Sequence, residues 1–284
     1  MHSVKGKPLS VLLMVIAQFG AWLRSPRVLI ISIFVLVQCF TQVCGFRNTL
    51  NRNGYSVYQM ESIFYQFYFG CNMPMMSVLF LVMIGDVPYR MAKQEFQLIR
   101  CSRKRWIVAQ ILYCVLIVAT MIIVLLISIA GMTAPISTAG SGWSDDLRMA
   151  TWGFLPEDAL IEEMIRANFT PLGATCFAII PMFCFWLLML LIIVAFSIRG
   201  IPEVGILMYA SLLVLNITVL FEMIPFRIPF PMDYATLEGI VSNCTIKGKE
   251  QFCEVFFGYG AMILVVILFL VRSAENYEIS SCAR

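Results

Sequence analysis

Trp106–Gly131 reads WIVAQILYCVLIVATMIIVLLISIAG, 26 consecutive residues without one charge. As a helix rising about 1.5 Å per residue it spans more than the roughly 30 Å hydrocarbon core of a bilayer. The rest of the chain repeats the pattern. Of its 284 residues, 60% are apolar and 13% charged, about half the charged share of a soluble domain. A soluble fold cannot hide that much apolar side chain, so the bilayer must serve as solvent for much of it.

Further charge-free runs lie at Val28–Phe46, Ser62–Gly85, Ala167–Ile198 with an Arg166 boundary, Val204–Phe221 and Val255–Val271. The fourth exceeds what crossing needs, so its membrane part is set at 175–198. Burying Lys, Arg or Asp at mid-span costs about 2.5–3.5 kcal/mol on insertion scales. Charges should therefore mark the ends, and Arg27, Glu61, Asp86, Arg199, Glu222 and Arg272 do so. The expectation is an all-α membrane protein of six transmembrane helices, at about 28–46, 62–85, 106–131, 175–198, 204–221 and 255–271. Outer loops are expected at 132–174 and 222–254.

Orientation follows from Lys and Arg. If both termini, the 86–105 loop and the 197–204 turn share one side, that side holds 13 of the 20 basic residues with 5 acidic ones. The opposite side holds 7 basic and 12 acidic residues on longer loops. The positive-inside rule then puts both termini in the cytoplasm, and the expected location is a plasma membrane, as in a bacterial cytoplasmic membrane.

Residues 1–27 form a separate expected unit, a cytoplasmic N-terminus and an interfacial helix. Leu9–Leu23 is about 22 Å long as a helix, too short to cross comfortably. Gln18, Trp22 and Arg24 suit a helix in the headgroup plane. Ser25-Pro26 breaks it, because proline disfavours helix at the preceding residue and lacks an amide donor. An uncleaved signal-like or re-entrant segment is the alternative.

The loop before the opening run is DVPYRMAKQEFQLIRCSRKRW, Asp86–Trp106, with six Lys and Arg. Met91, Phe96, Leu98 and Ile99 are interleaved with Lys93, Glu95 and Arg100 at helical spacing, and Val87-Pro88 favours a helix start. A basic loop that only enforced topology and met anionic headgroups would need charge alone. An amphipathic helix containing Gln94, Glu95 and Gln97 fits a docking surface for a soluble partner.

QEFQLIRCSRKRWIVAQIL resembles the coupling-helix region of ABC-2 exporter permeases, through Glu95, Leu98, Ile99, Ser102, Arg103, Ala109, Gln110 and Leu112. LRSPRVLIISI resembles that family's junction between connecting helix and first span. Gln110 stands where lysine is common, and the 131–174 segment is longer than in many such permeases. The resemblance implies a coupling helix that meets an ATPase through Arg90, Lys93, Gln94, Glu95, Phe96, Ile99, Arg100 and Arg103. It also implies a second permease half, identical or homologous. No G-x-x-x-x-G-K-[ST] phosphate loop occurs in the chain. ATP and Mg would therefore belong to one or two separate ATPase subunits, and this chain would bind no cofactor itself and hydrolyse nothing. Membrane lipids are the remaining expected partner, and nucleic acid is not one.

For the translocation path the guide is polarity within spans, because such groups tend to face protein or water. Tyr65, Tyr68, Asn72 and Met76 recur at helical spacing, and Tyr209 and Asn216 share a face. Interhelical hydrogen bonds that hold the bundle are the competing reading. The family lines its cavity with the second and fifth spans, which implies the path. An aromatic and Met-lined wall suits an amphipathic peptide, lipid or hydrophobic drug.

The outer segments carry less. In 156–166, Pro156-Glu157-Asp158 and Arg166 complement a helix dipole, and Leu160, Ile161, Met164 and Ile165 share one face. A packed cap and a substrate or accessory contact are both open readings. FEMIPFRIPFPMDY, 221–234, has too many prolines for regular helix, and the resemblance implies an external gate, where Glu222 and Arg227 could pair. Cys244 and Cys253 share an outer loop where a disulfide is chemically allowed. Glu162–Arg166 is one residue short of an intramembrane-protease Glu-Glu-x-x-x-Arg pattern. His2 is the only histidine, which removes His-dependent metal and Ser-His chemistry; no metal site is expected. The rival to a permease is a non-transporting membrane scaffold, or an immunity or assembly factor.

Overall fold

The structure is a computed structural model that describes residues 11–68, 72–87, 102–140, 142–145, 163, 165–220, 231–237, 240 and 250–275. Nearly all of these are helical. In chain order the helices are α1 (Val11–Leu23), α2 (Pro26–Asn53), α3 (Gln59–Tyr68), α4 (Asn72–Ile84), α5 (Arg103–Thr133), α6 (Pro171–Ile198), α7 (Pro202–Leu220) and α8 (Glu250–Glu275). Short 3-10 turns lie at Ala134–Ile136 and Asp233–Ala235.

Among the described residues, four helical segments are long and apolar enough to cross a membrane: Pro26–Asn53, Arg103–Ile136, Pro171–Ile198 and Cys253–Ser273. α3 and α4 make a fifth if counted together, but they are bent by 74°. Pro202–Thr218 is a shorter apolar segment. The continuous helix expected over 62–85 is therefore two pieces. α3 ends at Tyr68, and α4 restarts at Asn72 with Pro74 in its first turn, where the missing amide costs no intrahelical bond.

Local chemistry sets the other ends. Pro26 starts α2 after an extended Ser25, and Gly54 closes it at φ 68°, its N–H bonded to the Leu50 carbonyl, the left-handed stop for which glycine is suited. Thr170 caps α6 by accepting from the Gly173 N–H at 3.2 Å. Arg199 and Gly200 end that helix, with Gly200 at φ 80°, and Pro202 starts α7.

α6 is the hub, packing on α3, α5, α7 and α8. Phe80 of α4 stacks on Trp186 of α6, centroids 4.8 Å apart. The Trp186 indole N–H donates to the Ser77 hydroxyl at 2.9 Å, and the Tyr209 hydroxyl donates to the Ser77 carbonyl at 3.4 Å. Asn72 and Met76 lie beside Ala178 and Met182, so α4 and α6 run parallel, while Gly205 beside Ile193 and Tyr209 against Phe185 make α7 antiparallel to both. These directions sort the helix ends into two groups.

At one end α1 packs on α5 and α2, with Met14 and Val15 against Ala109. Arg27 pairs with Asp86 at 2.6 Å, and the Arg199 guanidinium sits 4.1 Å over the Phe269 ring. Arg103, Lys104 and Arg105 open α5 at this same end. At the other end Phe46, Leu50, Val57, Phe64, Tyr65 and Ile165 form a second apolar cluster. The large core between them runs from Trp22 to Leu270. Many apolar side chains point outward, among them Leu29, Ile33, Ile127, Leu207 and Phe257, the pattern of a bundle whose solvent is hydrocarbon.

Candidate functional site

Beside the ends of α3 and α4 lies a small open cleft with a volume of about 20 Å³. α2 contributes Gln42 and α3 contributes Gln66 and Phe67. α4 adds Asn72, Met73 and Met76, while Leu125, Ile129, Ala178 and Met182 come from α5 and α6. Ala235 and Thr236, at the second 3-10 turn, complete the lining.

Polar groups are few here, and their pairing is uneven. The Asn72 side-chain N–H₂ donates to the Gln66 carbonyl at 2.9 Å, which ties the first residue of α4 to the last turn of α3 across the break. The Ser77 hydroxyl donates to the Met73 sulfur at 3.7 Å. Since Ser77 also meets Trp186 and Tyr209, one wall of the cleft is joined to the contacts that hold α4, α6 and α7 together. Both amide atoms of Gln42 and the Nε2 of Gln66 are buried without a hydrogen-bond partner.

The six residues expected to line a path fall into three places. Asn72 and Met76 lie on the cleft. Tyr65 and Tyr68 are buried in the second apolar cluster, where the Arg166 Nη2 donates to the Tyr65 hydroxyl at 2.7 Å and Phe46 stacks on the ring. Tyr209 is buried among α4, α6 and α7, edge-on to Phe185. Asn216, on the same helix, is 7% exposed and does not line the cleft. Tyr65 and Tyr209 thus have packing and hydrogen-bonding roles that the competing reading requires.

Of the expected coupling residues, Arg103 is exposed at the start of α5. Arg90, Lys93, Gln94, Glu95, Phe96, Ile99 and Arg100 lie outside the described residues, as do Glu222, Arg227 and Cys244. Cys253 is exposed on the first turn of α8. Among the described residues no cluster of His, Cys, Asp and Glu could hold a metal.

Glu61 emerges as more than a boundary charge. It is fully buried, and its carboxylate accepts from the Tyr58 N–H at 3.1 Å and the Ser144 N–H at 2.8 Å. The first contact is half of a capping box, a Glu at the third helical position reaching back to the cap residue. The second ties α3 to a loop 83 residues on. Sequence reasoning also passed over Gln42 and Gln66. Each is a carboxamide within a charge-free run, Gln42 one turn after Gln38 and Gln66 six residues before Asn72, which was the available signal.

No protein-family model matches the chain, and no curated protein or solved structure matches it.

Proposed function

We propose that this chain is the six-span permease subunit of an ATP-driven exporter, with both termini and the 86–105 segment in the cytoplasm. The observation that carries the reading is the convergence of α1, the start of α2, the end of α4 and the start of α5 at one end of the bundle. There the Arg27–Asp86 pair and the Met14–Val15–Ala109 contacts bracket the basic segment between two helices anchored in the core. A force applied to 88–101 from the cytoplasm would enter α4 and α5 directly. It would then reach α6 and α7 through Ser77, Trp186 and Tyr209. In this reading α3 and α4 form one broken span, α7 is the fifth span, and α1 lies in the headgroup plane. The second half of the exporter is another such chain, ATP and Mg reside on the ATPase, and the cargo is an amphipathic or hydrophobic molecule.

The test is purification of the full chain from its native membrane in mild detergent. A stoichiometric subunit bearing a phosphate loop, with vanadate-sensitive ATP hydrolysis by the complex and none by the isolated chain, is the expected result. Hydrolysis by the isolated chain, or its recovery in functional form with no ATPase bound, would refute the proposal.

A further inference from the structure

Hydrocarbon offers a polar side chain no hydrogen bond, so polar groups within a span turn towards protein or water. On α2 the hydroxyls are satisfied locally: Ser32 donates to the Val28 carbonyl and Thr41 to the Gln38 carbonyl, each at 2.8 Å. Gln38 differs. Its backbone oxygen is engaged by Thr41, but among the described residues its carboxamide has no hydrogen-bond partner. The residue is half-exposed at the surface of the bundle. The charges at either end of the apolar run, Arg27 and Arg47, are eleven and nine residues away. That is about 14–16 Å along the helix, too far for this side chain to reach a headgroup.

The surroundings of Gln38 define a seam. Phe34, Gln38, Thr41 and Gly45 follow at spacings of four, three and four residues, the repeat that holds one helix against another. The buried face of α2 is a different one, formed by Ile31, Val35, Cys39, Val43 and Phe46. Phe34 is 55% exposed, and Thr41 and Gly45 are exposed. Nothing lies within 4 Å of a Cβ built on Gly45. The seam is therefore bare among the described residues, and its small members let another backbone approach closely.

Hydrogen-bonding capacity selects the partner. Acyl chains leave the carboxamide unmatched, and a partner with only donors or only acceptors meets half of it. A second Gln38 meets all of it, because each carboxamide carries its N–H and C=O side by side and two facing each other exchange two bonds. A two-fold axis along the membrane normal brings this about. It keeps both copies in one orientation, sets α2 parallel to its mate and places each seam residue against itself. A single amide in such a seam also fixes its register.

We infer that α2 pairs with α2 of a second copy along Phe34–Gly45, with the two Gln38 carboxamides bonded across the axis. The inference rests on the reading of two such chains as one exporter and names the surface by which they meet.

The test uses the full chain, cysteine-free, in its native membrane with a membrane-permeant oxidant. Thr41→Cys and Gly45→Cys should cross-link two copies, whereas Ile33→Cys and Phe40→Cys, exposed on another face, should not. In nanodiscs, energy transfer between labelled copies should show the dimer dissociation constant of Gln38→Leu raised about tenfold. If Gln38→Leu does not fold, the cross-linking set decides alone. Cross-links at Ile33 or Phe40 instead, seam cysteines that join a different protein or nothing, or a Gln38→Leu chain that dimerises as the original does would overturn the inference. Two copies counted in the purified ATPase complex would then leave the exporter reading standing, whereas one copy per complex would overturn both.

Discussion

Glu61 illustrates how a single residue can be read correctly for position and incompletely for role. A charge at the edge of an apolar run is expected as a boundary marker, and Glu61 is one. The bond from the Tyr58 N–H is local, whereas the one from the Ser144 N–H depends on a loop far along the chain, which no local pattern contains. Arg166 adds an attractive field while holding the Tyr65 hydroxyl. Glu61→Ala should destabilise the chain by about 2–4 kcal/mol, the cost of leaving two largely buried N–H groups unmatched. Glu61→Gln keeps one acceptor oxygen and should cost less. Thermal unfolding of the purified chain in detergent measures both, and equal melting temperatures for Glu61→Ala and the original chain would show that the bonds contribute nothing. Gln42 and Gln66 were legible as residue types, yet the lack of partners around them was not, because that is a property of what packs opposite.

At the scale of elements, charge-free runs located helices well but not their lengths. α2 continues past the Arg47 and Arg52 charges to Asn53, since a helix ends where its backbone is capped rather than where the bilayer ends. The bend between α3 and α4 had a signal in Pro74, in the first turn of α4, which hydropathy alone ignores. Close approach of α7 to α6 rests on Gly205: a Cβ there would lie 2.8 Å from the Ile193 Cα, a backbone atom that can yield only by moving a helix. Gly205→Ala should lower stability by about 1–3 kcal/mol, whereas Gly131→Ala, with nothing within 4 Å, should leave it unchanged or slightly raised. Similar melting temperatures for the two variants would remove the close-packing argument. The proposed docking segment, 88–101, carries its own prediction. Under the proposed function, charge reversal at Glu95 or Arg100 weakens ATPase association and uncouples transport while topology persists. A purely topological loop would tolerate either single reversal, which a pull-down with each variant would show.

For the whole molecule, the decisive property is the sorting of charges between the two ends of the bundle. Arg24, Arg27, Arg103, Lys104, Arg105, Arg199 and Arg272 gather at one end beside the acids Asp86 and Glu203, whereas Glu61, Asp145, Glu163 and Glu254 belong to the other, beside Arg47, Arg52 and Arg166. This sorting was readable from sequence because topology is written in charge, one loop at a time. Which helices touch was not readable, because apolar faces offer little to distinguish one neighbour from another. The proposed orientation predicts that Arg52→Cys, in a cysteine-free background, reacts with a membrane-impermeant maleimide in intact cells. Lys104→Cys should react only after permeabilisation. The reverse pattern would invert the molecule and with it the proposed cytoplasmic docking site.

The turn at Arg199–Ile201 also bears on how the chain is made. Three residues separate α6 from α7, and Gly200 takes the left-handed conformation that lets the backbone double back at once. Such a connection gives α7 no slack in which to find a distant seat after leaving the ribosome. The two helices are thus joined as a tight hairpin, with the Tyr209 hydroxyl turned towards the Ser77 carbonyl of α4. α6 is among the most apolar of the long helices, and α7 is the shorter of the pair. Lengthening this turn would loosen the order of assembly before it altered any contact in the finished bundle.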